Sequence, residues 1–383
     1  MINDSTKTTT EKYELMDIRD YINKISKKPL NAQKDSSERL SDGPFLTPIL
    51  YPGYSLVSGF LVQLVGNISF YSYSSDSAKI STMQVSSLYS QYNQFMNCIN
   101  SDIWTSHEKY NLQGDWLYYI FPTNTFGLGG KTLSSDITPV EYYQLRVYEV
   151  ALRKVDKNFS LGAGYNLDYH WDIEEFKNQQ TNVTDMDKYG FKNTSTSSGI
   201  TVNGQFDNRL NSNNPSNGTY ANLQIRDNLQ ILGSNSNWKS AVLDIRHYFK
   251  LTEEAGNVLA LWSYDWLTLN GKPPYFDLPM IGGDPYNNTG RGYVEGRFRG
   301  MNFLYFEAEY RFRIMNNGFL GGVLFSNVSA FSDQYNKFNY IDPANGIGLR
   351  IKMNKKSNVN LSIDYGIGID GSRGFVFNMS EVF

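Results

Sequence analysis

Glu307, Glu309, Arg311 and Arg313 recur at every second position, with Phe306, Ala308, Tyr310 and Phe312 between them. Successive side chains of a strand point to opposite faces, so this run would set two carboxylates and two guanidiniums on one side and an apolar row on the other. Four charges on one face cannot tolerate lipid. Asp168, His170 and Asp172 form a second alternate set. One imidazole between two carboxylates could bind a metal or move a proton, but on a wet wall the same set is an ordinary polar network. His107 and His247 are the other histidines, and pairing His247 with Ser240 is too indirect to suggest an esterase. No glycine-rich loop follows a strand and opens a helix. Cys98 is the single cysteine, which leaves no internal disulfide framework and no Cys-based metal site. The expectation is a protein that is not an enzyme, with no metal and no cofactor.

The elements that would carry these faces are long strands. Phe159, Leu161, Ala163, Tyr165, Leu167, Tyr169, Trp171 and Ile173 alternate with Ser160, Gly162, Gly164, Asn166, Asp168, His170 and Asp172. Leu361, Ile363, Tyr365, Ile367 and Ile369 do the same against Asn360, Ser362, Asp364, Gly366 and Gly368. A strand needs about nine to eleven residues to cross a tilted barrel wall, and the first run exceeds that. A charge on a barrel's lipid face costs roughly 2–4 kcal/mol at the bilayer midplane, so Glu307, Glu309, Arg311 and Arg313 must face an interior. A soluble sandwich can alternate similarly, but it would bury the aromatic face in a core and use shorter strands.

Composition agrees. Aromatic residues make up 15% and charged residues 19% of the 383, and no apolar run is long enough for a membrane-crossing helix. A mean hydropathy of −0.45 suits a barrel, whose lipid-facing and lumen-facing residues cancel in the average. The net charge of −3 carries no basic footprint, so nucleic acid is not an expected partner. The fold class expected is all-β, a transmembrane antiparallel β-barrel of sixteen strands, with fourteen as the alternative. About fifteen segments alternate or lie between turn signals, the first near 54–66 and the last near 374–383. Residues 1–47 form an expected N-terminal tail with one amphipathic helix from Tyr13 to Ile25, and 48–383 the barrel. The connections 174–195 and 270–300 are too long for periplasmic turns and are expected outside the cell. The polar N-terminus lacks the apolar stretch of an export signal, so the chain is expected to be a mature form.

Several short motifs occur in an order that carries a family resemblance. They are Pro48-Ile49-Leu50-Tyr51-Pro52 with Gly59, Phe126-Gly127-Leu128-Gly129, and Asp207-Asn208-Arg209-Leu210-Asn211 with Pro215 and Gly218. Gly282-Gly283, Arg291-Gly292-Tyr293, Glu309-Tyr310-Arg311, Gly346-Ile347-Gly348-Leu349-Arg350, Asp364-Tyr365-Gly366 and Phe383 follow. The series resembles the bacterial surface antigen superfamily of outer-membrane barrels, the BamA and TamA type. Arg291-Gly292-Tyr293 is similar to the tip of the family's sixth extracellular loop, which folds back into the lumen. Gly292 would allow a tight turn, and the Arg291 guanidinium brings five donors.

The resemblance implies Glu309 as the inward partner of Arg291, with Glu307 and Asp364 as further carboxylates. Asn327 stands where the family carries an aspartate, so Glu309 is expected to bear more of any ionic lock. Gly290 replaces the family's apolar residue before the arginine. Phe383, with Phe375 and Phe377 on the same alternating face, resembles the terminal strand signal by which the barrel-assembly machinery receives its clients. The chain is expected to be a member without the tandem periplasmic POTRA domains. What the resemblance implies is a protein of the bacterial outer membrane, in contact with its lipid, that assists insertion or translocation of proteins or lipids. A scaffold barrel docking a periplasmic or lipoprotein partner is the second expectation, and a passive pore the third.

Overall fold

The structure is a computed structural model, which describes residues 15–26, 45–55, 57–71, 80–176, 183–190, 192–252, 256–285, 287–355 and 358–383. The strands in chain order are β1 (Phe45–Ser55), β2 (Gly59–Tyr71), β3 (Ile80–Ser90), β4 (Phe95–Trp104), β5 (Tyr110–Ile120), β6 (Thr123–Thr125), β7 (Thr138–Lys154), β8 (Phe159–Glu175) and β9 (Ser195–Asp207). They continue with β10 (Gly218–Asn228), β11 (Trp238–Lys250), β12 (Val258–Gly271), β13 (Asn302–Arg313), β14 (Leu320–Phe331), β15 (Asp342–Asn354), β16 (Val359–Ile367) and β17 (Arg373–Met379). β6 extends the line of β5 along the same partner, β7, so the wall has sixteen positions. Each is antiparallel to its neighbour, and the result is a nearly closed barrel.

Alternation places the side chains as their chemistry requires. Along β13, Glu307 and Glu309 are fully buried while Phe306 between them is 46% exposed on the outer face. On β8 the alternation stops at a bulge opposite Glu141 and Tyr143, where Asp172 takes a left-handed φ of 48°. An extra residue there turns Ile173 inward, against the expectation that it continues the outer row.

The first strand also differs from expectation. The segment anticipated near 54–66 is a hairpin, β1 and β2 joined around residue 57. Pro48, Pro52 and Gly53 precede the first anticipated segment, yet they lie within β1. Proline has no N–H to give a ladder and is tolerated where the strand edge goes unpaired. β1 is such an edge. It pairs with β2 along its whole length and lies beside β17, but no paired register joins β1 to β17 among the described residues. Pro48 and Pro52 are four residues apart, so both missing donors fall on one side of the strand. That side is the seam.

The wall is uneven in height. β7 and β8 have 17 residues each and β17 has 7. At about 3.4 Å per residue and a tilt of about 40°, β17 rises about 18 Å, short of the about 25 Å apolar band of a barrel, whereas β8 rises about 44 Å. The barrel is lowest at its seam.

Turns at one end are short and mark the periplasmic side. There the helix α1 (Ile18–Ser26) is docked; Tyr13, where the sequence pattern begins, lies outside the described residues. Asp17 caps it, accepting the N–H groups of Arg19 and Asp20 at 3.0 and 3.3 Å while Asp20 accepts that of Asp17 at 3.0 Å. Tyr21 stacks on Phe319 with ring centroids 4.4 Å apart. Lys355 reaches Asp20 at 2.8 Å and donates its backbone N–H to Asp17. The other side of the helix leaves Ile22 and Ile25 exposed. The hydrogen bond from Lys355 holds the Asp20 carboxyl below its ordinary range. A depressed carboxylate stabilises docking above its unfolded value and loses that contribution as pH falls through the folded one. Protection of residues 15–26 from protease should therefore hold at neutral pH and fall below about pH 4. Asp20→Asn should weaken protection at pH 7 and flatten the acid dependence, and a variant that keeps the wild-type profile would refute the role of this pair.

Candidate functional site

The connection 272–301, sixth at the extracellular end, enters the barrel. At its root Asp277 accepts the Ser197 hydroxyl of β9 at 2.5 Å, and Arg299 donates to the carbonyls of Tyr275 and Leu278 at 3.1 and 3.3 Å. Met280 pairs with Arg299 as an isolated bridge, closing a hairpin-like base. Asp284 then organises the tip by accepting the N–H groups of Asn288 and Thr289 at 2.9 and 2.7 Å.

At the tip Arg291 is 2% exposed. Its guanidinium meets Asp364 of β16 at 2.7 Å, Glu309 of β13 at 2.5 Å, and Glu307 of β13. One face of the guanidinium lies 3.8 Å from the centre of the Phe325 ring on β14. Asn327 donates its side-chain amide to the Arg291 carbonyl at 3.2 Å, so the residue that cannot form a salt bridge instead holds the loop backbone. Tyr305 donates its hydroxyl to Glu307.

Two further arginines extend the network. Arg311 of β13 bonds Glu309 at 2.6 Å, and Arg350 of β15 meets Asp364 at 2.6 Å and Glu309 at 3.4 Å. Ions of this burial repay their desolvation only when geometry is good and the remaining lone pairs are used. Here each carboxylate accepts from more than one donor. Glu309 meets all three arginines, and Glu307 and Asp364 share Arg291 with it.

Glycines let the tip lie flat on the wall. Gly292 has φ of 112°, and a Cβ on Gly366 would stand 2.6 Å from the Gly292 nitrogen. Gly290 has φ of 78° and a Cβ there would meet Ile281 at 2.2 Å, which accounts for glycine at the position where the family carries an apolar residue. Tyr293 donates to the Pro343 carbonyl at 2.6 Å and accepts from the Ile369 N–H at 3.1 Å. Its ring packs on Phe298, which continues through Phe331 to Phe303. Aromatic residues therefore fill much of the lumen beside the loop.

Phe375 and Phe377 are exposed on the outer face of β17. Phe383 is not on that face. The strand ends at Met379, Ser380 takes φ of 90°, and Val382 and Phe383 turn into the lumen. Alternation alone gave no sign of this reversal. Glu381 likewise lies inside, against Arg350 at 2.6 Å.

A second lumen network joins Asp168 to Arg226 at 2.7 Å, to Arg146 at 3.6 Å and to the Tyr148 hydroxyl at 2.7 Å. Sequence reasoning missed Arg226, whose signal was its place among Gln224 and Asn228 on an alternating strand. His170 is buried nearby, with Ser195 at 3.3 Å and Asp277 at 3.7 Å, both from the same ring nitrogen. A proton relay needs both nitrogens, one facing each partner. Asp172 sits at the bulge, exposed and away from Asp168 and His170. Ser240 faces the lumen and His247 the opposite side of β11, bonded to Thr219 at 2.7 Å. Among the described residues no group of three His, Cys, Asp or Glu side chains is arranged to hold a metal ion.

Removing one partner of a buried ion network leaves the others uncompensated, at a cost of roughly 3–5 kcal/mol. Arg291→Ala should accordingly lower the temperature at which the folded barrel converts to its slower-migrating form on gels and open residues 282–296 to protease. Arg291→Lys should restore only part of this, since an ammonium lacks the fork that spans several carboxylates. An Arg291→Ala barrel with the wild-type transition would show that the network contributes nothing to stability.

Comparison with known proteins agrees with this architecture. The Omp85 superfamily domain matches residues 82–383. No curated protein matches significantly in sequence. Among solved structures, BamA from Haemophilus ducreyi lacking POTRA domains 1–3 is similar over 88% of this chain and 69% of its own, at 14% identity and a TM-score of 0.57. CdiB from Acinetobacter baumannii is similar over 88% of this chain and 66% of its own, at 13% identity and a TM-score of 0.55. CdiB from Escherichia coli covers the same share of this chain and 60% of its own, at 10% identity and a TM-score of 0.53. At these identities the likeness is one of fold, and the chain spans roughly two thirds of each relative. With the family domain matching the greater part of the sequence and a sixteen-position barrel wall to match, this chain belongs to the Omp85 superfamily and is a β-barrel of the bacterial outer membrane.

Proposed function

We propose that this barrel assists insertion or translocation of protein or lipid at the outer membrane, without bond-making chemistry, through the seam between β1 and β17. The observation that carries this reading is the seam itself. It joins a strand with two donorless positions to a strand too short for the apolar band, and no ladder closes it among the described residues. A cavity of about 150 Å³ adjoins it, bounded by Tyr54 at the end of β1, by Val376 and Asn378 on β17, and by Gly290, Arg291 and Glu295 of the inward loop. A short wall thins the bilayer around it, and an unpaired edge offers hydrogen-bonding groups to an incoming strand. Arg291 acts in this reading as the brace that keeps the loop behind the seam, with Glu307, Glu309, Asp364 and Asn327 as its wall partners.

One observation favours a scaffold as the second reading. α1 is held to the periplasmic turns by Tyr21 and Asp20 while Ile22 and Ile25 face water, which would suit a periplasmic or lipoprotein partner. A passive pore is less consistent with the aromatic packing around the inward loop. A photo-crosslinking residue at Tyr54 or Phe377, and separately at Ile25, distinguishes these in the native membrane. The insertion reading expects several different nascent outer-membrane proteins, or lipid, at the seam positions. Capture of one fixed partner at Ile25 with an unlabelled seam would overturn it in favour of the scaffold.

A further inference from the structure

We infer that Ser380–Phe383 is an internal latch whose hold on the lumen is energetically coupled to the Arg291 loop. After Ser380 turns the chain inward, nearly every polar group of the segment is engaged by a different part of the lumen. Glu381 accepts from Arg350 of β15 at 2.6 Å and from Asn360 of β16 at 2.5 Å, and its N–H donates to the Asn213 carbonyl of the β9–β10 turn at 3.1 Å. The Val382 carbonyl accepts from Asn288, three residues before Arg291 in the loop, at 2.6 Å. The Phe383 carbonyl accepts from Arg311 at 2.8 Å, and its ring stacks on Trp262 of β12 with centroids 5.1 Å apart. Val382 and Phe383 are 2% and 3% exposed. Four residues thus tie the end of the seam strand β17 to walls on the far side of β13.

The coupling follows from shared partners. Arg291, Arg311 and Arg350 draw on Glu309, while Arg291 and Arg350 both draw on Asp364. Glu381 occupies Arg350 directly and stands 3.7 Å from Arg311. When Glu381 leaves, both arginines turn more fully to Glu309 and Asp364 and compete with Arg291 for them. When Arg291 leaves, those carboxylates draw Arg311 and Arg350 away from the latch. Each event weakens the other bond, and the linkage must be equal in both directions. The seam strand is then free at its periplasmic end only when the loop is loosened too. This rests on the lumen contacts and not on what the seam passes.

Cysteine labelling in the full barrel, reconstituted in lipid nanodiscs, tests it without any client. In a Cys98→Ser background, Val382→Cys is exposed to a water-soluble maleimide and its rate followed in four barrels: otherwise unaltered, Glu381→Gln, Arg291→Gln and Arg226→Gln. The last removes a comparably buried arginine from the separate Asp168 network. Glu381→Gln and Arg291→Gln should each speed labelling at least about fivefold, the lower end of usual coupling between sites, with Arg226→Gln at the unaltered rate. If Arg291→Gln does not fold, Arg291→Lys takes its place with a smaller rise expected, since an ammonium cannot span the carboxylates as the guanidinium does. Fast labelling in the unaltered barrel would show that no latch exists. An unchanged rate in Arg291→Gln would sever the coupling, and an equal rise in Arg226→Gln would reduce it to general loosening.

Discussion

The buried guanidinium of Arg291 sets terms for much of the surrounding barrel. A cation almost wholly removed from water is tolerable only if anions stand at fixed positions around it, and the anions come from β13 and β16, which are not neighbours. Their spacing depends on the two strands between them. Glu309 lies opposite Phe325 of β14, Phe325 opposite Gly346 of β15, and Gly348 opposite Asp364 of β16. A slip of one residue in any of these pairings would send a carboxylate toward lipid. The ionic network and the sheet register are therefore one constraint, and the small residues at Gly346, Gly348 and Gly366 leave the space in which the loop and its partners meet.

The strands were legible wherever period-two patterning was unbroken, as along β13 and β16, because lipid and lumen impose opposite chemistry on alternate residues. Legibility failed where a single backbone choice resets the pattern. Asp172 does this with one left-handed residue inside β8, and Ser380 does it at the end of β17. Alternation beyond either point extrapolates to the wrong face, as it did for Ile173 and Phe383. The prolines of β1 are a different case, since they argue against a central strand and only the barrel's topology reveals that β1 is an edge. Within the site, Arg291, Glu307, Glu309 and Asp364 could be named from motif order. The parts played by Arg311, Arg350 and Glu381 could not, because two residues on separate strands and one beyond the end of a third converge only when the wall is curved.

The two sides of the barrel differ in what holds them. Between β7 and β12, long strands whose ladders are broken only by single bulges surround the Asp168 and Arg226 network, and rigidity comes from backbone pairing. At the seam the ladder stops and the strands shorten, and closure is left to side chains reaching across the lumen. Side-chain contacts can exchange partners without breaking a row of backbone bonds. The break in backbone pairing is thereby confined to one strand boundary among the described residues, with the inward loop beside it.

The inward turn at Ser380 also fixes an order of assembly. Glu381 and Phe383 find their partners on β12, β13, β15 and the β9–β10 turn, the farthest of them removed by nearly half the length of the chain. Such long-range contacts repay their loop-closure entropy only after the intervening strands are in place. Phe375 and Phe377 on the outer face of β17 can meet lipid as soon as that strand is laid down, whereas the final four residues have nothing to bind until the lumen exists. The segment Arg373–Phe383 thus combines a membrane-facing strand, whose surroundings are local, with a keystone whose partners exist only in the finished lumen.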